Sequence, residues 1–316
     1  MNLIDVRLHD RILEKKKRLD AHRPLSSSAV RKLQQQMQIQ YIYNSNAIEG
    51  NTLKLRETQL IIEEGSTIQG KSLREHLEAR NHPKAIEYIE RIKCKELKIQ
   101  QILSLHQIIM KAIEKDPGRF RTTEVRIAGA NHIPPPAYEV GFRIKDLVDW
   151  YNRNPDELRP IELGAVFHHR FVHIHPFRDG NGRIGRLLMN LILLQNGYPM
   201  TVILSTDRKK YLDALGKADN GDPVPFVNFV AGTVEQSLDI YLRALEPTKE
   251  EDRLLTLTEA SRLFPSFSQE YLSLLARKRR IGAVKEGRKW MVTARALKRY
   301  AEEVGKGLSA KTGPTR

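Results

Sequence analysis

Along most of this chain apolar residues recur at three- and four-residue spacing, the period that puts side chains on one face of a helix. From about Arg23 to Asn46 the repeat runs through Leu33, Met37, Ile39 and Ile42. Glu49-Gly50-Asn51 then supplies a stop, because Gly and Asn tolerate the left-handed backbone of a helix end. Leu55 to Glu64, Ser72 to Lys93 and Leu97 to Glu114 read as further helices. The second of these is expected to break at Pro83, which lacks a backbone N–H. Asp116-Pro117-Gly118 marks a turn.

The pattern changes at Phe120. Phe120 to Ile127 is strand-prone, Gly129-Ala130-Asn131 can turn, and Ile133 leads into three prolines, so a short hairpin is expected. Helices resume at Tyr138 to Tyr151 and at Pro160 to Ile174, where Pro160 suits a first turn. A glycine-rich loop then opens a helix from about Arg183 to Gln195. Helical stretches near Arg208 to Leu215 and Pro225 to Leu245 precede a linker at Glu246-Pro247.

Beyond the linker the rhythm is different. Thr256-x-x-Glu259 and Ser266-x-x-Gln269 are capping-box patterns separated by a turn at Pro265. Ala283 to Val292 reads as a hairpin with Glu286-Gly287 at its tip, and Thr293 caps a final helix to about Val304. Helix, turn, helix, hairpin, helix is a winged-helix arrangement. The polar stretch 305–316 is expected to be disordered.

Composition narrows the setting. A chain of 316 residues suggests two or three packed units. No window approaches the ~18 consecutive apolar residues of a membrane span, and the amino terminus lacks the apolar core of a secretory signal. Cys94 is the only cysteine, which leaves no disulfide framework or thiolate metal cage and makes a cytoplasmic location the simplest expectation. The net charge of +15 is uneven: residues 248–316 hold 16 basic and 8 acidic side chains, a net of +8. Such a module invites an anionic partner, nucleic acid first, although a solubilising surface is an equal alternative.

Chemistry concentrates in His175-Pro176-Phe177-Arg178-Asp179-Gly180-Asn181-Gly182-Arg183-Ile184-Gly185-Arg186. Gly180 and Gly182 let successive amides turn inward as an anion-binding hollow, and a helix starting near Arg183 points its positive end there. Arg183 and Arg186, three apart, reach the same side of that helix. Asp179 adds a hard oxygen of the kind that holds magnesium beside phosphates. His175 is the neutral base of the group. No serine or cysteine nucleophile is built in, so the attacking hydroxyl is expected on the substrate. Together these parts describe a nucleoside triphosphate site.

Three other readings compete. Gly180-x-Gly182-x-x-Gly185 has dinucleotide-binding spacing, but its lead-in, Phe167-His168-His169-Arg170-Phe171, is too polar for the buried strand that motif follows. His169 and His173, four apart with His168, His175 and Asp179 nearby, suggest a metal hydrolase, yet the glutamate of the zinc-protease motif is missing. Packing and hydrogen bonding are the simpler roles for those histidines. A plain turn has no use for this much charge.

The run matches at every specified position the signature of the Fic (Fido) family, His-Pro-Phe-x-Asp/Glu-Gly-Asn-Gly-Arg-x-x-Arg, and the chain resembles that family from about Ser45 to Leu245. The resemblance implies an all-α fold: a Fic helical core with a short β-hairpin flap, here followed by a small C-terminal winged helix-turn-helix domain. The expected domains are an N-terminal helical region (1–96), the core (97–246), the winged helix (253–304) and the tail. It further implies a protein adenylyltransferase that moves AMP from ATP to a Ser, Thr or Tyr hydroxyl of a target protein or of the enzyme itself, with Mg2+ as cofactor. Donation of UMP or phosphocholine stays open, as does a homodimer. By the same analogy His175 deprotonates the acceptor and Asp179 holds magnesium. Gly180, Asn181, Gly182 and Arg183 bind the α- and β-phosphates, with Ile184 and Gly185 in the same nucleotide-binding run, and Arg186 meets the γ-phosphate. The flap, Thr122 to Ile133, borders the nucleotide at Val125, Arg126, Ile127 and Ala128 and pairs with the target backbone. Tyr211 and Asp219 fall on the adenine side, although relatives often carry Asn at the second position.

Ser45-Asn46-Ala47-Ile48-Glu49-Gly50 resembles the family's inhibitory helix. Its glutamate is expected to pair bidentately with Arg186, take the place of the γ-phosphate and misalign the α-phosphate. In some relatives this glutamate also aids AMP removal. Leu257 to Tyr300 is similar to excisionase-like DNA-binding winged helices, which would make Arg277, Lys278, Arg279, Arg280, Arg288 and Lys289 phosphate contacts. The alternative function is a DNA-binding transcriptional regulator with an inactive or differently specialised core.

Overall fold

Helical periodicity dominates the folded chain as it does the sequence. The structure, a computed structural model, describes residues 3–25, 28–93, 96–127, 132–246, 253–286 and 289–304. Most of these residues are helical, and they group into two compact units: Met1–Ile4 with Leu25–Ser237, and Asp5–Pro24 with Leu238–Arg316. Helix α1 (Val6–Ala21) therefore belongs with the C-terminal module and not with the helices that follow it in sequence. Among the described residues no helix is long and apolar enough to cross a membrane.

The first unit contains α2 (Ser28–Ile48), α3 (Leu55–Glu64), α4 (Leu73–Ile92), α5 (Ile99–Ile109), α6 (Val140–Arg153), α7 (Pro160–Ile174), α8 (Asn181–Gln195), α9 (Arg208–Asp219) and α10 (Val224–Leu245) as far as Ser237. Helix α8 is its axis. From Arg183 to Leu193 every residue is buried, as expected for a helix that is apolar nearly all round. Helices α7, α4, α5 and α2 pack on it.

Two expectations need correction here. Pro83 does not break α4, which runs unbroken from Leu73 to Ile92. The missing hydrogen bond and ring clash cost ~3 kcal/mol. Against that, Ala79, His82, Ala85, Ile86 and Ile89 are all buried on this helix, so tertiary packing outweighs the local penalty. The hairpin is the second case. Residues 120–127 and 132–136 form no strand among the described residues. Their anchor is Arg121, which is 3% exposed: its amide donates to Pro176 O at 2.9 Å, and its guanidinium donates to the carbonyls of His175, Thr123 and Pro135. One buried side chain thus satisfies backbone acceptors that a ladder would otherwise have to serve.

The second unit pairs α1 and the last residues of α10 with a small α/β module. Its order is β1 (Leu254–Thr256), α11 (Leu257–Leu263), α12 (Gln269–Arg277), β2 (Ala283–Glu286), β3 (Lys289–Thr293) and α13 (Ala294–Glu303). The antiparallel sheet runs β1-β3-β2, with Leu255 opposite Val292 and Val284 opposite Met291. Phe264, Phe267, Leu272, Val292 and Leu297 form its core. The Thr256–Glu259 capping box is present, and Thr293 caps α13. Helix α12, however, is capped by Ser268, which accepts from the Tyr271 amide, and not by Ser266. Strand β1, three residues long, gave no readable period.

The basic run at the end of α12 divides between two environments. Arg277 and Lys278 are exposed, as is Lys289. The Arg279 carbonyl accepts from the Arg11 guanidinium at 3.0 Å, and Arg280 lies 3.6 Å from Asp5, so both help hold α1 in its own unit. Arg288, the Gly287 turn, Cys94, Ala128 and the segment 305–316 lie outside the described residues.

Candidate active site

The loop between α7 and α8 begins on a strained residue. His175 ends α7 at φ 51°, a left-handed conformation uncommon for a residue with a Cβ. Its amide still donates to Phe171 O at 3.1 Å, and its Nδ1 donates to Val172 O at 3.2 Å. With the proton fixed on Nδ1, Nε2 keeps its lone pair. Burial lowers the pKa of His175, so the ring is neutral at pH 7.

Side chains from distant elements frame the loop. Phe177 is fully buried and stacks on His106 of α5, ring centroids 3.8 Å apart. His106 accepts from the Gly118 amide at Nδ1 (2.8 Å) and donates from Nε2 to Asp179 O (3.3 Å). Burial pushes its pKa down to about 4, so it stays neutral. Asn181 closes the loop on itself: Oδ1 accepts from the Phe177 amide at 2.9 Å and Nδ2 donates to Phe177 O at 2.8 Å. The Asn181 side chain is therefore committed to the loop, leaving only its backbone amide to offer to an anion. Arg121 grips the other rim through Pro176 O and His175 O.

Gly180, at φ 81°, is the N-cap of α8, so the unpaired first-turn amides of that helix face the hollow expected from the sequence. Asp179 accepts from the Gly180 amide (2.5 Å) and lies 3.3 Å from Arg183 NH2, while its other oxygen pairs with Arg74 of α4. Burial works to raise the Asp179 carboxyl, but Arg183, the Gly180 amide and Arg74 together hold it below the usual value. Arg183, 1% exposed, also reaches Glu78 Oε1 at 3.0 Å. Glu78 in turn accepts from Asn51 Nδ2 at 2.9 Å, just past the end of α2.

Arg186 is the second fully buried guanidinium. Its Nε donates to Ser45 Oγ at 3.0 Å and its NH2 to Ser45 O at 2.8 Å, while NH1 lies 2.8 Å from Glu49 Oε1. Two of its three nitrogens thus go to Ser45, in place of the expected bidentate fork on Glu49. Burial opposes the charge on Arg186, but Glu49, Tyr211 and Tyr41 together outweigh it and the pKa is raised. Glu49 lies directly against Gly182: a Cβ built on that glycine would stand 2.1 Å from Glu49 Oε1. Arg208, at the start of α9, donates to Ile48 O at 2.7 Å and so caps the end of α2.

The other expected nucleotide residues differ in their surroundings. Ile184 is fully buried in the core. Gly185 serves helix packing, since a Cβ there would meet His168 Nδ1 at 2.8 Å. Tyr211 is buried, with its hydroxyl 2.8 Å from His168 Nε2. Asp219 Oδ1 pairs with His169 Nε2 (2.9 Å) and His173 Nδ1 (3.0 Å), which gives those histidines the hydrogen-bonding role expected for them. Val125 and Ile127 are half-buried and Arg126 is exposed. Arg74, Glu78, His106, Arg121 and Arg208 gave no signal in the sequence, being scattered, unremarkable charges and an isolated histidine.

The assembled site has a neutral base with a free lone pair, a helix amino terminus and two buried guanidiniums. It also has one ionised carboxylate whose partner Arg74 is half exposed. It can bind a polyphosphate and accept one proton.

Comparison with known proteins gives a consistent picture. The Fic/DOC family matches residues 96–193. The protein adenylyltransferase Fic of Nematostella vectensis is 36% identical over 244 residues, which are 76% of this chain and 56% of that protein. The chain spans about half the length of the curated relatives it matches. Among solved structures, a Fic domain containing signaling protein from Bacteroides thetaiotaomicron superposes with a TM-score of 0.69 at 30% identity, over 77% of this chain and 100% of that one. Fic-1 of C. elegans gives a TM-score of 0.68 at 35% identity, over 75% and 72%.

Proposed function

This chain belongs to the Fic/DOC family, and from that membership we propose that it transfers the AMP part of ATP to a hydroxyl group on a protein. The curated relatives' name, protein adenylyltransferase, supports that reaction, and so does the disposition of this chain's own groups. His175 Nε2 takes the proton of the incoming hydroxyl. The freed oxygen attacks the α-phosphorus, a P–O–AMP bond forms, and the bond to the β-phosphate oxygen breaks. Pyrophosphate leaves with the electron pair. The first-turn amides of α8 and the Arg183 guanidinium face the charge that develops on these oxygens.

Asp179 fits the magnesium ion expected with ATP, because it is ionised, partly exposed and paired to a half-exposed arginine that also has Glu78 as a partner. Magnesium bound there would neutralise phosphate charge. A serine, threonine or tyrosine of the target protein is the acceptor that this chemistry suits.

Glu49 is proposed as a brake. Its carboxylate on Arg186 stands where a γ-phosphate would seek the same guanidinium, and its contact with the Gly182 backbone narrows the hollow. When displaced toward solvent, the same carboxylate is suited to activate water for the reverse step, removal of AMP. The observation that carries the proposal is the free Nε2 lone pair of His175 beside two buried guanidiniums and a helix amino terminus. Incubation with ATP and magnesium, with wild type beside Glu49→Gly and His175→Ala, tests it. AMP transfer that depends on His175 supports the reading; its absence from every variant overturns it.

A further inference from the structure

At the end of α7, three elements bring imidazole and carboxylate donors together. His132 follows the segment 122–127, His173 sits in the last turn of α7, and Asp219 ends α9. One donor atom from each lies within 4.8 Å of the other two. The imidazoles of His132 and His173 stack with centroids 3.6 Å apart, and His173 Nδ1 is 3.0 Å from Asp219 Oδ1. We propose that His132, His173 and Asp219 form a site for a divalent transition metal of the Zn2+ type.

The donor set selects the ion class. Two imidazoles and one carboxylate suit Zn2+ and its neighbours, whereas Mg2+ and Ca2+ take oxygen cages. Tetrahedral Zn2+ with bonds of roughly 2.0–2.2 Å separates its ligands by about 3.4 Å. Donors that lie within 4.8 Å of one another must therefore close by up to about 1.4 Å, and one of the two stacked rings must turn so that both in-plane lone pairs meet at the ion. The surroundings are those of a metal centre as well. His132 Nε2 donates to His173 O at 2.8 Å, which fixes its tautomer, and His169 Nε2 holds the Asp219 carboxylate at 2.9 Å. A cavity lined by Trp150, His169, His173 and Ala218 gives an access path. Three protein ligands leave a coordination position open.

The site shares no residue with the cluster of Asp179, Arg183 and Arg74. A bound ion would tether the end of the segment leading to His132 onto α7, two residues before His175. A hydrogen-bonded His–Asp–His network without an ion uses the same contacts, and the experiment separates the two. Untagged full-length protein is dialysed against Zn2+ and its metal content measured. Wild type is expected to retain one equivalent more than Asp219→Asn or His173→Ala. His169→Ala should keep the metal with affinity lowered about tenfold or more. Zn2+ should also raise the Tm of wild type and not that of Asp219→Asn. Titration of wild type with Co2+, whose visible bands report four-coordinate nitrogen and oxygen ligation, needs no variant to fold. Wild type that retains no more zinc than Asp219→Asn, or develops no such bands, overturns the proposal.

Discussion

Glu49 Oε1 occupies the space that any side chain on residue 182 would need, 2.1 Å from the position of a Cβ there, and reaches Arg186 NH1 at 2.8 Å. The glycine that opens the hollow to phosphate also opens it to this carboxylate. Arg186 is buried with Ser45 on its other nitrogens, so it cannot swing away to serve both ligands.

Glu49→Gly is therefore expected to raise the initial rate of AMP transfer by roughly 10²-fold or more, the scale at which misplacement of a reacting group slows chemistry. Rates measured under saturating ATP check this. An unchanged rate removes Glu49 from the account.

Arg121 is expected to matter for kcat more than for KM. Its guanidinium joins three carbonyls, one of them that of His175, so Arg121→Ala leaves buried acceptors unpaired and lets the base drift. A loss of ~1–3 kcal/mol in stability should accompany a fall in kcat of about tenfold or more, with the KM for ATP little changed. Arg121→Lys should not restore the rate, since an ammonium cannot span the fork. Urea denaturation and steady-state kinetics on both variants check these outcomes.

The pH–rate profile has a defined sign. A general base works deprotonated, and the His175 pKa is lowered, first by burial. Activity should be flat from pH 7 to 8 and fall only below the ordinary histidine value of 6.5. Glu49 acts to raise the His175 pKa, so Glu49→Gly should move the acid limb lower still. An acid limb centred above 6.5 in that variant contradicts the assignment of the base.

Stability should also fall toward acid. Burial pushes His82 and His168 down to about 3 and His106 to about 4, whereas the unfolded rings titrate near 6.5. Below that value the unfolded chain binds more protons than the folded one, so stability present at pH 7 drains away as pH drops toward 4. Each buried ring contributes about 1.4 kcal/mol per pH unit once titrating. Urea midpoints at pH 7.5 and 5 measure the slope. His106→Gln should flatten it.

Helices with their own apolar repeat were legible in the sequence, as α3 and α7 illustrate, with bounds of Leu55–Glu64 and Pro160–Ile174. The glycine-rich loop was legible because its residue types are useless apart. Pro83 misled because its cost is local while the compensation comes from helices packed on α4. The hairpin misled because residues 120–127 have strand-like composition, but Arg121 takes over the backbone acceptors around it. Arg74 and Asp179 are 105 residues apart, and nothing near either one announces the other. Asn181 had the right type for a phosphate ligand, but in the fold its side-chain amide is spent on Phe177, a pairing that no sequence pattern marks.

The origin of the transferred group is the most direct test of the central claim. Glu49→Gly protein is incubated with magnesium and ATP carrying radiolabel at either the α- or the γ-phosphate, and label on protein is counted. The account predicts incorporation from the α-label alone, abolished by adding His175→Ala. Incorporation from the γ-label, or α-label that persists without His175, would contradict it.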